Sequence, residues 1–305
     1  MFDPDALMKV RDIAWRAKWL LSATSAGVHR SLHHGSSIEF SQYRPYSPGD
    51  DPRRIDWRLY GRSDRHEVKL FEDETARRVH VIVDQSRSMG YRSVSYTKLQ
   101  YAQTMAATVA MEMHRRRDRV GLITFDDGVD VSIAPGRRPS HLSRLFTALS
   151  KPDAGRETAL GSVLDEVTAM IPPRGLVFIL SDALTCLETL HAPLQSLAGR
   201  EHEVVFVRVL DPGEIDLTAA AGTRIVDRET GQTRWVDAAT REGYRQNFED
   251  HAASLRRLCD DLAITIVTVK TDRSLVDQML TLFSAAAARR SPEFSLETPA
   301  TGRTP

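Results

Sequence analysis

Asp84, Ser86 and Ser88 alternate with Gln85 and Arg87 directly after the apolar run of residues 79–83. A run of that length, closed by an acid, reads as a buried strand rather than a helix. A loop turning away from such a strand can aim one carboxylate and two hydroxyls at a common point, and oxygen atoms so gathered are the ligands a hard cation takes. Residues 176–180 form a second apolar run, which ends through Ser181 at Asp182. In a parallel sheet both acids would reach the same edge, where ligands bind if the strand order reverses. Two carboxylates meeting there repel each other unless a cation or a proton offsets the charge. The competing reading is local: Asp and Ser are favoured helix caps, and both segments lie between a strand and a helix. The bare pattern leaves the two readings open.

The rest of the chain supplies elements able to carry such an edge. Helical spacing recurs over 97–116, where Leu99, Ala102, Met105, Ala106, Val109, Ala110 and Met113 share a face. Residues 120–125 and 129–133 read as strands joined through the Asp127-Gly128 turn. Helices are expected over 140–150, 159–171, 188–198, 240–259 and 274–284, and strands over 176–180, 204–210 and 263–269. A hairpin is expected within 223–236. Alternation of this kind implies βα crossovers and a mainly parallel sheet covered on both faces. Upstream, residues 4–21 read as a helix capped by Asp3 or Asp5, with Leu7, Val10, Ile13 and Leu20 on its apolar face. Residues 27–78 are rich in Gly, Pro and paired charge, yet hold too many aromatics for a linker, so they read as a small subdomain of short strands and turns. The expected organisation is 1–78 for the helix and small subdomain, 79–284 for the α/β domain, and 285–305 for a flexible C-terminal tail.

Composition narrows the classes. Across 305 residues, 41% hydrophobic, 41 basic and 41 acidic side chains cancel. That balance speaks against a protein built mainly to neutralise nucleic-acid phosphates. Cys186 and Cys259 are too far apart in sequence for a C-x-x-C site, which points to a reducing compartment. No stretch approaches the ~20 apolar residues that span a bilayer, and the acidic start does not read as a signal peptide. The expectation is a cytoplasmic protein.

At this point a resemblance becomes specific. DQSRS at 84–88 is similar to the D-x-S-x-S signature of the metal-ion-dependent adhesion site in von Willebrand factor A domains, and Met89-Gly90 suits it. Upstream, Glu39-Phe40, Arg44, Tyr46, Gly49-Asp50, Arg53 and Ile55-Asp56-Trp57 resemble the block that precedes the A-type domain in the domain-of-unknown-function 58 family. The resemblance spans roughly residues 27–284. It implies a Rossmann-like α/β fold of the von Willebrand factor A type, preceded by a small helix and strand segment.

The same resemblance assigns roles. Ser86, Ser88 and Thr158 (in GRETAL) would be direct oxygen ligands, with Asp84 and Asp182 coordinating the metal or holding its waters. Magnesium is the first expectation, since its octahedral shell retains water where few carboxylates contact it; manganese and calcium are the alternatives. An acidic side chain from a protein partner would complete the coordination, and family members are commonly encoded near AAA-type ATPases. The implied function is a metal-dependent adaptor rather than an enzyme. Arg87 departs from the small residue frequent at its position, and its direction matters: toward the metal it would repel the cation, and outward it could recruit an acidic partner. Gln85 reads as an outward loop residue.

The same residues admit other chemistries. A metal-dependent hydrolase would use Asp84 and Asp182 for the metal and Asp126 or Asp127 to activate water. Arg44, Arg53, Arg54, Arg58, Arg62 and Arg65, interleaved with Tyr43, Tyr46, Trp57 and Tyr60, could form a nucleic-acid surface, but nearby Glu39, Asp50, Asp51 and Asp56 favour internal ion pairs. PGDDP does not resemble a phosphate-binding glycine loop. His29, His33 and His34 lack metal-ligand spacing, His114 and His141 read as helix or loop residues, and Cys186 has no catalytic partner in the pattern.

Overall fold

A computed structural model describes residues 7–31, 40–47, 57–63, 67–71, 76–150, 155, 159–215, 217, 224–226, 233–235 and 237–288. They fall into two compact units, one drawn from Met1–Ala26 and Arg77–Pro305, the other from Gly27–Ala76.

The larger unit is an α/β sandwich around six strands: β3 (Arg78–Asp84), β4 (Arg119–Phe125), β5 (Val129–Gly136), β6 (Leu176–Ser181), β7 (Glu203–Leu210) and β10 (Thr265–Lys270). Their order is β10-β7-β6-β3-β4-β5. All neighbours are parallel except β4 and β5, the hairpin at one edge. The parallel strands are apolar on both faces because both are covered. Val79, Val81 and Val83 of β3 join one buried cluster, and Ile82 joins the other. β6 divides alike, with Leu176, Phe178 and Leu180 on one side and Val177 and Ile179 on the other. β5, at the edge, alternates between half-buried and exposed positions over residues 129–134, as a one-sided strand should.

The first face is packed by α3 (Lys98–Arg115), α4 (Pro139–Leu149) and α9 (Leu275–Ala288), together with Ile13, Ala17 and Leu20 of α1 (Ile13–Ser31). The second is packed by α5 (Leu160–Met170), α6 (Glu188–Gly199) and α8 (Ala238–Asp261). A short α7 (Pro212–Ile215) follows β7, and β8 (Arg224–Val226) pairs antiparallel with β9 (Thr233–Trp235). This is the mainly parallel, doubly covered fold expected from the alternation of elements.

Three boundaries differ from the sequence reading. Leu7 and Met8 are helical, the helix breaks over residues 9–12, and a new one starts at Ile13, because the Asp12 carboxylate accepts the Ala14 and Trp15 backbone N–H groups at 2.8 and 3.2 Å. It then continues through Gly27 to Ser31, where the composition suggested a break. The last helix runs on to Ala288, past the residue-285 start of the expected tail; alanines extend a helix at little cost. In the smaller unit, β1 (Phe40–Pro45) pairs antiparallel with β2 (Glu67–Phe71), and α2 (Trp57–Ser63) lies between them in sequence. That helix of 7 residues, about two turns, replaces part of the expected strand-and-turn segment and is too short to show a period.

Candidate functional site: a buried carboxylate pair at the switch point

From β3 the chain proceeds to β4 and β5 on one side, then returns to place β6 on the other. The order therefore reverses beside β3, and the crevice beyond the carboxyl ends of β3 and β6 is where open α/β sheets bind ligands. Asp84 is the last residue of β3 and Asp182 follows the last residue of β6. Both carboxylates are buried.

Asp84 is held by its neighbours. Its Oδ1 accepts the Ser86 backbone N–H at 2.9 Å, and its Oδ2 accepts the Ser181 hydroxyl at 2.6 Å. The chain then turns through a short 3₁₀ segment, Arg87–Gly90, whose buried Met89 anchors the loop in the core. The turn brings the Ser86 and Ser88 hydroxyl oxygens within 3.1 Å of each other. Burial and the nearby Asp182 charge push the Asp84 carboxyl up to about 7, against the Ser181 and Ser86 hydrogen bonds that favour its ionised form.

Asp182 has the opposite balance. Burial alone would raise its pKa, but the Lys98 ammonium, 2.7 Å from Oδ2, holds it below the ordinary carboxylate value. Its Oδ1 accepts the Leu184 backbone N–H at 3.2 Å. Lys98 also donates to Glu214 of α7 at 2.6 Å, and the two carboxylates outweigh burial to keep the ammonium charged. Burial, with Asp182 behind it, raises Glu214 despite that contact. Arg208 of β7 is buried too: its Nε donates to the Asp182 carbonyl at 3.2 Å and its guanidinium lies 5.1 Å from the Phe248 ring centroid. His251 continues the chain by donating from Nε2 to the Thr185 carbonyl at 3.0 Å and leaving Nδ1 to accept from Arg208 at 3.3 Å.

Lys98, Glu214, Arg208 and Ser181 were not singled out from sequence. Only Lys98 left a trace. Thr97 and Gln100 form a capping box at the start of α3, and a lysine in that first turn opposes the helix dipole, a mismatch that points to a carboxylate elsewhere. Among the expected residues, the fold brings Asp84, Ser86, Ser88 and Asp182 together, and Thr158 lies outside the described residues. Arg87 is exposed. Gln85 is not the outward residue expected but buried: its backbone N–H donates to the Phe125 carbonyl at 2.7 Å and its carbonyl accepts from Gly155 at 2.6 Å. The loop is knitted to the end of β4 by these bonds, and alternation cannot continue through a segment whose backbone is so used.

Asp126 follows β4, its Oδ1 accepting the Asp127 backbone N–H at 2.7 Å, and Asp127 is exposed. His141 of α4 is buried, with Nε2 2.7 Å from the Val120 carbonyl. Cys186 is exposed and Cys259 buried. Of the arginine-rich segment, Arg44 falls on β1 and Arg58 and Arg62 on α2; Arg53, Arg54 and Arg65 lie outside the described residues. His33 and His34 lie outside them too, and His29 falls on α1.

The pattern of the family described as "Protein of unknown function DUF58" matches residues 42–257, more than half of the chain. The chain belongs to the DUF58 family. In this DUF58 member the Asp84 loop stands at the switch point of a mainly parallel α/β sheet. Among curated relatives, uncharacterized proteins of Mycobacterium bovis and Mycobacterium tuberculosis are each 26% identical over 294 residues, covering 94% of this chain and 91% of theirs. Among solved structures, this DUF58 chain is similar to BatB from Bacteroides thetaiotaomicron, at 17% identity and TM-score 0.47 over 70% of this chain and 100% of that one. It is also similar to the SpRpn10 VWA domain, at 8% identity and TM-score 0.41 over 67% and 94%. No described helix is long and apolar enough to cross a membrane.

The side chains at the switch point fit a hard cation. No group of three or more His, Cys, Asp or Glu side chains is arranged to hold a metal ion among the described residues, so hydroxyl and water oxygens would have to complete a shell begun by Asp84. The paired Ser86 and Ser88 hydroxyls are such donors.

Proposed function

We propose that this DUF58 protein is a protein-interaction module whose binding face is completed by a divalent cation, Mg2+ in the first instance and Mn2+ or Ca2+ as alternatives. The observation that carries the reading is the unequal treatment of two buried carboxylates. Asp182 already has the Lys98 ammonium, whereas Asp84 has only hydrogen bonds beside a neighbouring negative charge. A cation next to Asp84 offsets that charge. Ser86 and Ser88 would contact it directly, Thr158 would add the ligand implied by the family resemblance, and Asp182, anchored by Lys98, would hold its water. An acidic side chain from the partner fills an open position, which makes association metal-dependent without any reaction. The exposed Arg87 beside the site favours such an acidic partner. The partner we propose is an AAA-type ATPase or its associated assembly, and the compartment is the cytoplasm.

The test is calorimetric titration of chelator-treated protein with Mg2+ and Mn2+, repeated on Asp84→Ala after circular dichroism has established that it folds. Saturable binding to the wild type and none to the folded variant supports the reading. Absence of binding to well-folded wild type removes the metal from it.

A further inference from the structure

At the other end of the same sheet, arginines replace acids. Arg78 opens β3 and Arg119 opens β4, and the two are direct partners in the parallel register. Val120 is paired with Gly136 in the antiparallel hairpin, which puts Arg137 beside Arg119. Three guanidinium-bearing residues thus stand in one row across three adjacent strands, and all three are exposed. Arg117, at the end of the turn leaving α3, and Arg138, preceding α4, flank the row and are exposed as well. None of these five has an acidic partner among the described residues.

The surrounding acids are already committed, and Asp118, buried between Arg117 and Arg119, accepts the Arg77 backbone N–H at 3.1 Å. Glu112 takes Arg115 at 2.7 Å and Arg116 at 2.6 Å, Glu203 takes Arg77 at 3.1 Å, and Glu201 takes Arg174 at 2.9 Å. Like charges side by side on neighbouring strands disfavour the sheet, and an anion laid across the row would offset that repulsion. In a chain whose charges sum to +0, this is a local excess rather than a general basicity.

We propose that the edge formed by Arg78, Arg119 and Arg137 is a docking surface for an acidic protein segment. The row spans roughly 10 Å at strand spacing, a length suited to two or three carboxylates on an extended strand or one helix face. A neighbouring arginine shows the chemistry: Arg115 grips both oxygens of Glu112 through Nε and Nη2, at 2.7 and 3.0 Å. Arginine presents this two-point fork and lysine does not. Nucleic acid fits less well, because the segments Ala76 to Val79, His114 to Val120 and Gly136 to Pro139 interleave no Phe, Tyr or Trp ring for base stacking. The surface lies roughly 20 Å from Asp84 along β3 and is independent of the metal reading.

Fluorescence anisotropy of a labelled oligoglutamate peptide with the full chain, in chelator so that the metal site plays no part, tests this. Saturable binding that weakens by about tenfold or more in Arg78→Gln/Arg119→Gln/Arg137→Gln, and less in the corresponding triple Lys variant, is the expected result. Should the triple Gln variant not fold, Arg119→Gln alone, at an exposed position, provides the comparison. Lack of peptide binding, or equal binding by the folded Gln variants, overturns the proposal. Tighter, equally arginine-dependent binding of duplex DNA, or of phosphatidylglycerol-containing vesicles, overturns the assignment to an acidic protein segment.

Discussion

Lys98 Nζ lies 2.7 Å from Asp182 Oδ2 with both side chains closed off from water, so the first residue of α3 neutralises the carboxylate at the end of β6. The same ammonium reaches Glu214, on the far side of β7 in the chain. Lys98→Met leaves two buried carboxylates facing each other without their cation. Breaking a buried pair from one side costs about 3 to 5 kcal/mol, and a loss of that size in urea unfolding is expected. A change under ~1 kcal/mol would show that the ammonium is dispensable to the fold.

Lys98 is placed by the turn in front of it. The Thr97 hydroxyl accepts the Gln100 backbone N–H at 3.1 Å, while Gln100 Oε1 accepts the Thr97 N–H at 3.0 Å. Thr97→Ala should lower stability by about 1 kcal/mol, and Thr97→Ser should restore most of it. Equilibrium denaturation of the three proteins makes the comparison.

If Mg2+ binds beside Asp84, it stabilises the folded chain by mass action. At a free concentration about a hundredfold above Kd the gain is about 2.7 kcal/mol, read as a rise in Tm reversed by chelator. The rise should shrink in Ser86→Ala and Ser88→Ala. A Tm that ignores Mg2+ in the wild type counts against the cation.

Acid sensitivity has a separate source at the other end of the sheet. His80 of β3 is buried, and burial, then His202 and Arg78, push its imidazole down to about 4. Its Nε2 and that of His202 have no hydrogen-bond partner. The unfolded chain binds the proton near pH 6.5, so between pH ~6.5 and ~4 the unfolded state holds more protons and stability falls with pH. The contribution is intact above ~6.5 and falls by about 1.4 kcal/mol per unit on the way down to ~4, with no further loss below. Denaturant midpoints measured from pH 7 to 4 should decline less steeply in His80→Phe than in the wild type.

The sheet and its site were legible to different depths. Apolar runs ending in Asp84 and Asp182 announced two buried strands delivering acids, because a strand covered on both faces must be continuously apolar and its first polar residue marks the edge. The break over residues 9–12 in the expected N-terminal helix is not legible, because Asp3, Asp5 and Asp12 are equally good caps by type. Gln85 was misjudged because alternation assumes extended chain, and the backbone there is bonded to Phe125 and Gly155.

By itself the sequence determined the alternation of strands and helices, the two acids at strand ends, the Ser86 and Ser88 hydroxyls two residues apart, and the neutral overall charge. Each of these depends on residues close in the chain or on composition, where periodicity and local chemistry suffice. Tertiary structure alone decided that Lys98, 84 positions from Asp182, is its cation, that Glu214 and Arg208 close around that pair, and that Arg78, Arg119 and Arg137 stand in one row. Those relationships are set by strand order and register, which arise from packing both faces of the sheet at once and leave no periodic mark on the chain.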